Sequence, residues 1–394
     1  MKLLDLDRRT KFLIVVAFMI LSMASLTAIP FWQPWGLDLH NVHAFQRCVA
    51  GRSPYLVDAH ACGDILDRPF YYPPFLFAFF RWLRPLTLAG AMYVWTVFMF
   101  GSFAVMFWAW ARKIAREPLA GEGHEVVVFC ALLLLQYPFV FALERGNTDT
   151  AGVVFYTVGA FLFVRGHIWL AGMAAGLAAG FKLSPTVAVM VMTGALLWAW
   201  RSVGKWTWLR FSGGALTAFA LTLLVFFRDA KIYLFDVLPR YAKQLSFASP
   251  YSHTVPTYVG DAYRNFAGLL SVCLGVAWAW AGKRALARGD AATALAGALA
   301  MSTYAQSTSF DYNLMTTYPL LLLLFLRAQR TNRFALLAFG LFAIAGDRRL
   351  FMLPNAVVLT PHLHLTMQLA FLVVAALVAA RPDEDRPRSS GVPE

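Results

Sequence analysis

The sequence predicts an all-α polytopic membrane protein, a bundle of about twelve transmembrane helices with interfacial helices and a cavity at the outer face. Two observations lead to this class. The 394 residues are 59% hydrophobic and only 14% charged, whereas soluble domains carry about a quarter charged residues. Apolar stretches of roughly 17 to 25 residues, long enough to cross a bilayer as helices, recur from Lys11 to Ala380. Residues 1–380 are therefore expected to form a single membrane domain.

Short basic turns predict how these helices are oriented. They lie between apolar stretches at residues 8–11, 111–116, 201–210, 282–288 and 327–333. Because positively charged loops stay in the cytoplasm, we expect a multi-pass protein of the bacterial inner membrane with both termini cytoplasmic. The net charge of +13 then records topology and does not indicate a nucleic-acid partner. The tail 381–394 is expected to be disordered and cytoplasmic.

With this orientation the expected crossings can be placed along the chain. They cover residues 12–30, 88–111, 125–143, 148–165, 168–182, 184–200, 207–227, 266–281, 291–308, 312–326, 334–352 and 362–380. Residues 71–86 hold an apolar stretch of only about 10 to 14 residues, so we expect them to lie in the outer interface.

Five polar segments have no topological explanation, and all of them fall on the predicted outer side. They are residues 31–70, 143–150, 180–185, 228–265 and 307–313. A random scatter of polar residues would divide between the two faces. The sequence therefore predicts an outer functional cavity, with a catalytic outer loop at 31–87 and a second outer loop at 228–265.

Asp38 is the most informative ionisable residue, because it directly follows the first apolar stretch, with His40, Asn41 and His43 within a turn of it. A charge at membrane depth costs roughly 2.5 to 3.5 kcal/mol and marks a functional candidate. Its carboxylate is suited to accept a proton from a hydroxyl, as a general base does. The alternative is a helix N-cap at the start of an interfacial helix.

Lys182 stands between a Gly/Ala-rich helix, whose small residues allow close helix packing, and Pro185, which suits the first turn of the next helix. Its ammonium group either extends to the interface or binds an anionic head group.

Ten further cations lie in the two outer loops, against the positive-inside bias. They are Arg47, Arg52, Arg68, Arg81, Arg84, Arg228, Lys231, Arg240, Lys243 and Arg264. Such a placement indicates an anion, most simply a phosphate, and salt bridges to nearby aspartates are the alternative.

Other residues of the outer segments could line the same cavity. The aromatic turn at residues 70–74 could face a sugar or an isoprenoid chain, or could serve only as an interfacial anchor. His253, Tyr258, Asp311 and Asn313 are weaker candidates.

The four cysteines divide into two groups. Cys48 and Cys62 share the first outer loop, where a disulfide would contribute about 3 kcal/mol, and Cys130 and Cys273 are expected to pack inside helices. A zinc site formed by His40, His43, Cys48 and Cys62 would match none of the common ligand spacings of structural zinc sites. The sequence contains no glycine-rich phosphate loop, which argues against direct use of a nucleotide.

Several motifs together resemble a known family. In order they are "GLDLHNVHAFQRCVAGRSPYLVD", "FYYPPFLFAFF", "ERGNTDTAG", "AGMAAGLAAGFKLSPTVAVM" and "STSFDYNLMTTYPLLLL". The chain resembles membrane glycosyltransferases of the GT-C superfamily and is most similar to glycosyltransferase family 87, the polyprenyl-phosphate-mannose-dependent α-mannosyltransferases. The resemblance implies a GT-C type bundle, a lipid-linked sugar donor, a glycolipid or glycan acceptor, and contact with membrane lipids.

The resemblance also implies roles for individual residues. The family's catalytic aspartate falls on Asp38, and the lysine assigned to the donor phosphate falls on Lys182. Three arginines are expected to assist at the phosphate: Arg52, Arg68 and Arg264. The expected substrate-binding residues are His40, Asn41, Tyr55, Tyr72, Asn147, His253 and Asp311.

Two departures from the family pattern also matter. Where relatives have a glycine-glutamine-x-asparagine element, this chain has "RGNTD", which keeps Gly146 and Asn147. The paired acidic motif of metal-dependent relatives is interrupted here as "DLH", so no essential metal or other cofactor is expected.

The implied activity is inverting transfer of a hexose, mannose, at the outer face. A transporter or flippase of an anionic lipid is the alternative, although the paired broken helices of transporters are not evident.

Overall fold

The computed structural model describes residues 7–23, 36–49, 52–58, 60–62, 70–114, 123–240, 264–304, 311–328 and 360–380. Every regular element in these ranges is a helix, so the predicted all-α class is confirmed for the described residues. The α-helices are α1 (Arg8–Met23), α2 (Leu37–Cys48), α3 (Pro74–Phe79), α4 (Leu88–Trp108), α5 (Gly123–Leu134), α6 (Tyr137–Arg145), α7 (Asp149–Val164), α8 (Ile168–Phe181), α9 (Pro185–Trp198), α10 (Trp200–Val203), α11 (Thr207–Val225), α12 (Phe227–Ile232), α13 (Arg264–Ala287), α14 (Ala291–Tyr304), α15 (Tyr318–Ala328) and α16 (Thr360–Ala380).

Among the described residues, two helices are both long enough and apolar enough to cross a bilayer. Helix α4 continues as a π-helix to give a span at Leu88–Ile114, and α11 gives a second at Thr207–Val225. A third span is present if α5 and α6, which meet at a 50° bend, count as one. These spans are typical of an integral membrane protein. About twelve full-length crossings were expected, but the described residues contain two or three, together with shorter apolar helices.

Several elements differ from the expected boundaries. The crossing expected at 125–143 is interrupted between α5 and α6, because Pro138 has no N–H to continue the helix ladder. The expected second outer loop begins as helix, through α12 and a π-helical turn at Tyr233–Val237. Residues 334–352, expected to cross, and the tail 381–394 lie outside the described residues.

The segment expected in the interface forms α3 followed by a 3₁₀ turn at Phe80–Leu83. Together these elements are shorter than a membrane span. The described parts of the chain between α2 and α4 therefore form short helical segments. Two contacts attach them to α2, since the side chain of His43 lies 2.9 Å from the Leu86 carbonyl oxygen and Gln46 donates to the carbonyl of Phe77.

Glycines bring α8 and α11 into backbone contact. A side chain at Gly172 would overlap the carbonyl oxygen of Phe211, and one at Gly176 would overlap that of Ala215. From the other helix, a side chain at Gly214 would overlap the carbonyl oxygen of Trp169. The close approach expected from the small residues of α8 is confirmed. This contact fixes the position of Lys182, which follows the last residue of α8.

Short turns join α7 to α8 and α8 to α9, so these helices run antiparallel and their ends form two opposite layers. One layer holds the polar segments expected at the outer face. The opposite layer holds basic turns. There, Arg288 donates to the carbonyls of Ala379 and Ala380 at 2.5 and 2.8 Å, and Arg327 pairs with Asp290. Arg288 thus holds the end of α16, and Arg327 the end of α15, against the turn between α13 and α14.

Candidate active site

Asp38 lies in the first turn of α2 and is only 7% exposed. The helix begins at Gly36, whose φ of 80° is readily adopted only by glycine. The Gly36 N–H donates to the Glu144 carbonyl at 2.7 Å, and a side chain at this position would overlap Met92. Asp38 is therefore not the N-cap. Its backbone is held by Gly36, against α4 and the end of α6.

The "RGNTD" segment forms the turn between α6 and α7. Gly146 has a φ of 61°. Its N–H donates to the carbonyl oxygen of Leu143 at 3.0 Å, and the N–H of Asn147 donates to the carbonyl oxygen of Ala142 at 2.8 Å. This pair of hydrogen bonds is a Schellman motif, which commonly ends helices at glycine. A side chain at Gly146 would come within 2.8 Å of Leu39 Cβ. The turn therefore packs directly on the start of α2.

Two side chains of this turn hold the carboxylate of Asp38. Arg145 donates from Nη2 to Oδ1 at 2.7 Å, and Asn147 donates from Nδ2 to Oδ2 at 3.3 Å. Each carboxylate oxygen can accept a second hydrogen bond, so the group can still receive a proton. The structure shows Asn147 in contact with Asp38, and the contact with substrate expected from the sequence stays a prediction. Arg145 was not predicted, although it lies within the polar segment 143–150.

Asn147 continues the network towards Lys182. Its Oδ1 accepts the N–H of Asp149 at 2.8 Å, and its own carbonyl accepts Trp95 Nε1 at 3.1 Å. The carboxylate of Asp149 forms an ion pair with the ammonium of Lys182. Asp149 was also missed by the sequence analysis. The two charged residues emphasised by the sequence, Asp38 and Lys182, thus lie at opposite ends of one network.

Lys182 lines a narrow cleft between two walls. One wall is formed by Asp149, Lys182 and Ser184, and the other by Ser302 of α14 with Asn313 and Thr316 of a 3₁₀ helix at Asp311–Thr317. Behind the second wall, Thr303 Oγ1 donates to the Asn313 carbonyl at 2.8 Å and lies 2.5 Å from Thr316 Oγ1. A cation, a carboxylate, hydroxyl groups and an amide group thus occur around one narrow cleft whose remaining lining is apolar.

Two tyrosines expected to bind substrate lie on the other side of Lys182. The Lys182 Nζ is 5.9 Å from the centre of the Tyr72 ring, and the Tyr55 hydroxyl donates to the Tyr72 carbonyl at 2.6 Å. The Tyr55 ring packs 5.8 Å from that of Tyr233. Burial raises the pKa of the Tyr55 phenol, and Tyr233 and Asp229 act in the same direction, so the phenol stays protonated and donates. Each of the five polar segments therefore contributes a described residue to this end of the bundle.

The remaining predicted residues are placed as follows. His40 and Asn41 are half-buried on α2, and Cys48 and Cys62 form a disulfide that joins the end of α2 to a 3₁₀ helix at His60–Cys62. Arg52 is exposed. Arg68 and His253 lie outside the described residues, as do the side chains of Arg264 and Asp311. Among the described residues, no three His, Cys, Asp or Glu side chains group closely enough to hold a metal ion.

Comparison with known proteins identifies the family. A sequence profile of glycosyltransferase family 87 matches residues 70–308, more than half of the chain. The chain belongs to glycosyltransferase family 87. This matched region includes Arg145, Asn147, Asp149 and Lys182, whereas Asp38 lies before it. The family resemblance predicted from the sequence is confirmed, and the protein is a glycosyltransferase.

A curated relative of this family 87 glycosyltransferase comes from Mycolicibacterium smegmatis. It is the polyprenol-phosphate-mannose-dependent alpha-(1-2)-phosphatidylinositol pentamannoside mannosyltransferase, 28% identical over 131 residues. The match covers 33% of this chain and 30% of that enzyme, less than a third of its length. No solved structure matches the chain.

Proposed function

We propose that this family 87 glycosyltransferase moves mannose from a polyprenyl phosphate to a hydroxyl of a glycolipid or glycan, at the outer face of the bacterial cytoplasmic membrane. The observation that carries the proposal is the network joining a buried carboxylate, Asp38, to an ammonium group, Lys182, at the edge of one cleft. The relative's dependence on polyprenol-phosphate-mannose supports the choice of donor, and its phosphatidylinositol pentamannoside specificity supports a glycolipid acceptor.

Asp38 is assigned the role of general base. Its carboxylate takes the proton of the acceptor hydroxyl as that oxygen attacks the anomeric carbon from the face opposite the phosphate. The bond between the anomeric carbon and the phosphate oxygen breaks, and polyprenyl phosphate leaves with the electron pair. One displacement inverts the centre, so a β-linked mannosyl donor gives an α-mannoside. The proton remains on Asp38 until product release.

Lys182 is assigned to the donor phosphate. Its positive charge stabilises the charge that develops on the leaving phosphate, and Asp149 and the Tyr72 ring hold it in place. The sugar hydroxyls face Asn313 and Thr316 across the cleft. Because phosphate is already a good leaving group, cationic stabilisation suffices without a general acid or a metal. The outer arginines Arg52, Arg68 and Arg264 are proposed to assist at the phosphate.

Transfer of labelled sugar by the purified protein tests this function. Synthetic polyprenyl phosphate-mannose is supplied in detergent with a glycolipid acceptor, with and without EDTA, to wild type and Asp38→Asn. Asp58→Asn, at an exposed carboxylate of the same loop, is the matched control. We expect Asp38→Asn to lose roughly 10²- to 10⁴-fold in rate, and the control and the EDTA sample to match wild type.

Other outcomes are equally informative. Full turnover by Asp38→Asn would remove the general base from the mechanism. Absence of transfer from every lipid-linked sugar, with acceptors varied, would contradict the proposed function. Movement of the labelled lipid across liposomes containing the protein would then support the flippase alternative.

A further inference from the structure

We propose that Arg145 is a positioning residue that sets the orientation of the general base Asp38. The inference rests on the proposed function and assigns a role to a residue that the sequence analysis did not identify. Arg145 Nη2 lies 2.7 Å from Asp38 Oδ1, the geometry of a charge-assisted hydrogen bond. The pair joins α6 to α2, two helices that are far apart in sequence.

The geometry around the pair fixes the plane of the carboxylate. Rotation about the last side-chain torsion of aspartate is soft, so a single contact would leave the plane free to turn. Arg145 holds one oxygen and Asn147 holds the other, from the same turn. Each oxygen keeps a further lone pair, so the carboxylate is held at both oxygens and can still take the proton of an acceptor hydroxyl. A general base acts only when it is in line with the proton that it removes.

The scaffold behind Arg145 is rigid in the way that positioning requires. Arg145 is the last residue of α6, and the Schellman motif at Gly146 fixes how the chain turns away from it. Asn147 is 1% exposed and is held through its backbone by Trp95. The backbone from which both donor side chains extend is therefore fixed, in a turn that packs against Leu39 of α2.

A competing role for Arg145 is direct binding of the donor phosphate, and kinetics distinguish the two. A phosphate ligand stabilises the bound donor, so its loss raises the donor KM. A positioning residue acts after binding, so its loss lowers kcat and leaves the donor KM close to wild type. Guanidinium ion offers a second distinction, because it can occupy the space left by the removed side chain and restore the missing hydrogen bond to Asp38.

The experiment compares wild type, Arg145→Ala, Arg145→Lys and Asp38→Asn, with Arg210→Ala as the control at an exposed arginine. Transfer of labelled sugar gives kcat and donor KM, with millimolar guanidinium or equal sodium chloride added. We expect Arg145→Ala to lose about 10²-fold in kcat, as for a misplaced catalytic group, at nearly unchanged donor KM. Guanidinium should restore part of its rate and none of that of Asp38→Asn.

Arg145→Lys keeps the charge but not the fork of donors, so its kcat should fall below wild type at unchanged donor KM. It carries the test alone if the alanine variant does not fold. Wild-type kcat in the Arg145 variants, or a raised donor KM at constant kcat, would overturn the inference and leave the proposed function intact. An inactive wild type would instead contradict the proposed function itself.

Discussion

The ammonium group of Lys182 pairs with the carboxylate of Asp149, at the end of the bundle where α8 stops and α7 starts. Each charge complements the helix that carries it, because an N-terminus favours an anion and a C-terminus favours a cation. The Lys182 side chain is 22% exposed, whereas that of Asp149 is 7% exposed. The pair therefore keeps a buried carboxylate neutralised while leaving part of the cation accessible from the cleft.

Replacing Lys182 by Gln separates its ion pair with Asp149 from its proposed role at the donor phosphate. The variant leaves Asp149 without its ion-pair partner and should lose about 1 to 3 kcal/mol of stability, together with sugar transfer. The double variant Lys182→Gln/Asp149→Asn should recover most of the stability but not the transfer, because the cation for the phosphate is still missing. Thermal unfolding in detergent and the transfer assay give the two readouts. Lys205→Gln, at an exposed lysine, is the control, and an active double variant would contradict the phosphate assignment.

Replacing Gly176 by Val tests the backbone contact between α8 and α11. The added side chain would overlap the Ala215 carbonyl oxygen, so the helices must separate, at a cost of about 3 kcal/mol or more. The shift should also move Lys182 and raise the donor KM. Gly101→Ala is the control, because a side chain there would meet no atom within 4 Å. Equal melting temperatures for the two variants would show that the helices are not in backbone contact.

Replacing Tyr55 by Phe tests the hydrogen bond to the Tyr72 carbonyl. Its loss should cost about 0.5 to 1.5 kcal/mol near neutral pH. Burial raises the pKa of Tyr55 above its ordinary value of about 10. The stability from this phenol is therefore fully present below pH 10 and is lost as the pH rises further. Chemical denaturation should show a constant gap between wild type and Tyr55→Phe from pH 7 to 9 that narrows above pH 10.

The matched control for this series is Tyr93→Phe, since the Tyr93 side chain is 78% exposed. Its stability should follow wild type across the same pH range. A gap for Tyr55→Phe that widened above pH 10 would mean that the phenol is ionised in the folded protein.

The residues that the sequence analysis proposed for the site are those whose energetic cost can be recognised from the sequence alone. Asp38 and Lys182 stand beside apolar stretches, where a charge needs a reason, and the small residues of α8 indicated close packing. Arg145 and Asp149 were missed because their importance comes from partners distant in the chain. The glycine after Arg145 did carry a signal, since glycine often ends a helix, and it would have placed the arginine at a fixed helix end.

The helix boundaries show a similar division. Hydropathy located most of the helices, but it could not show that the stretch expected at 125–143 bends near Pro138 or that the second outer loop begins as helix. Near Pro138 the sequence remains apolar while the backbone changes direction, and in α12 a charged segment, with Arg228, Asp229 and Lys231, is nevertheless helical. The hydropathy of a stretch indicates whether its side chains are buried. Where a helix ends depends on local backbone geometry, which hydropathy does not show.

The glycine contact between α8 and α11 has a consequence for how a donor enters. Helices whose backbones are in contact cannot slide or tilt without a steric clash. The wall of the cleft that carries Lys182 is therefore expected to stay in place. The cleft is narrow, so the mannosyl phosphate proposed as the donor would enter only if the cleft widened. Widening would then have to come from the facing wall, which is formed by Ser302 of α14 and by the 3₁₀ helix at Asp311–Thr317, whose hydrogen-bond geometry is poorer than that of an α-helix. Donor binding would thus be asymmetric: the wall that carries Lys182 would keep its position, and the facing wall would move.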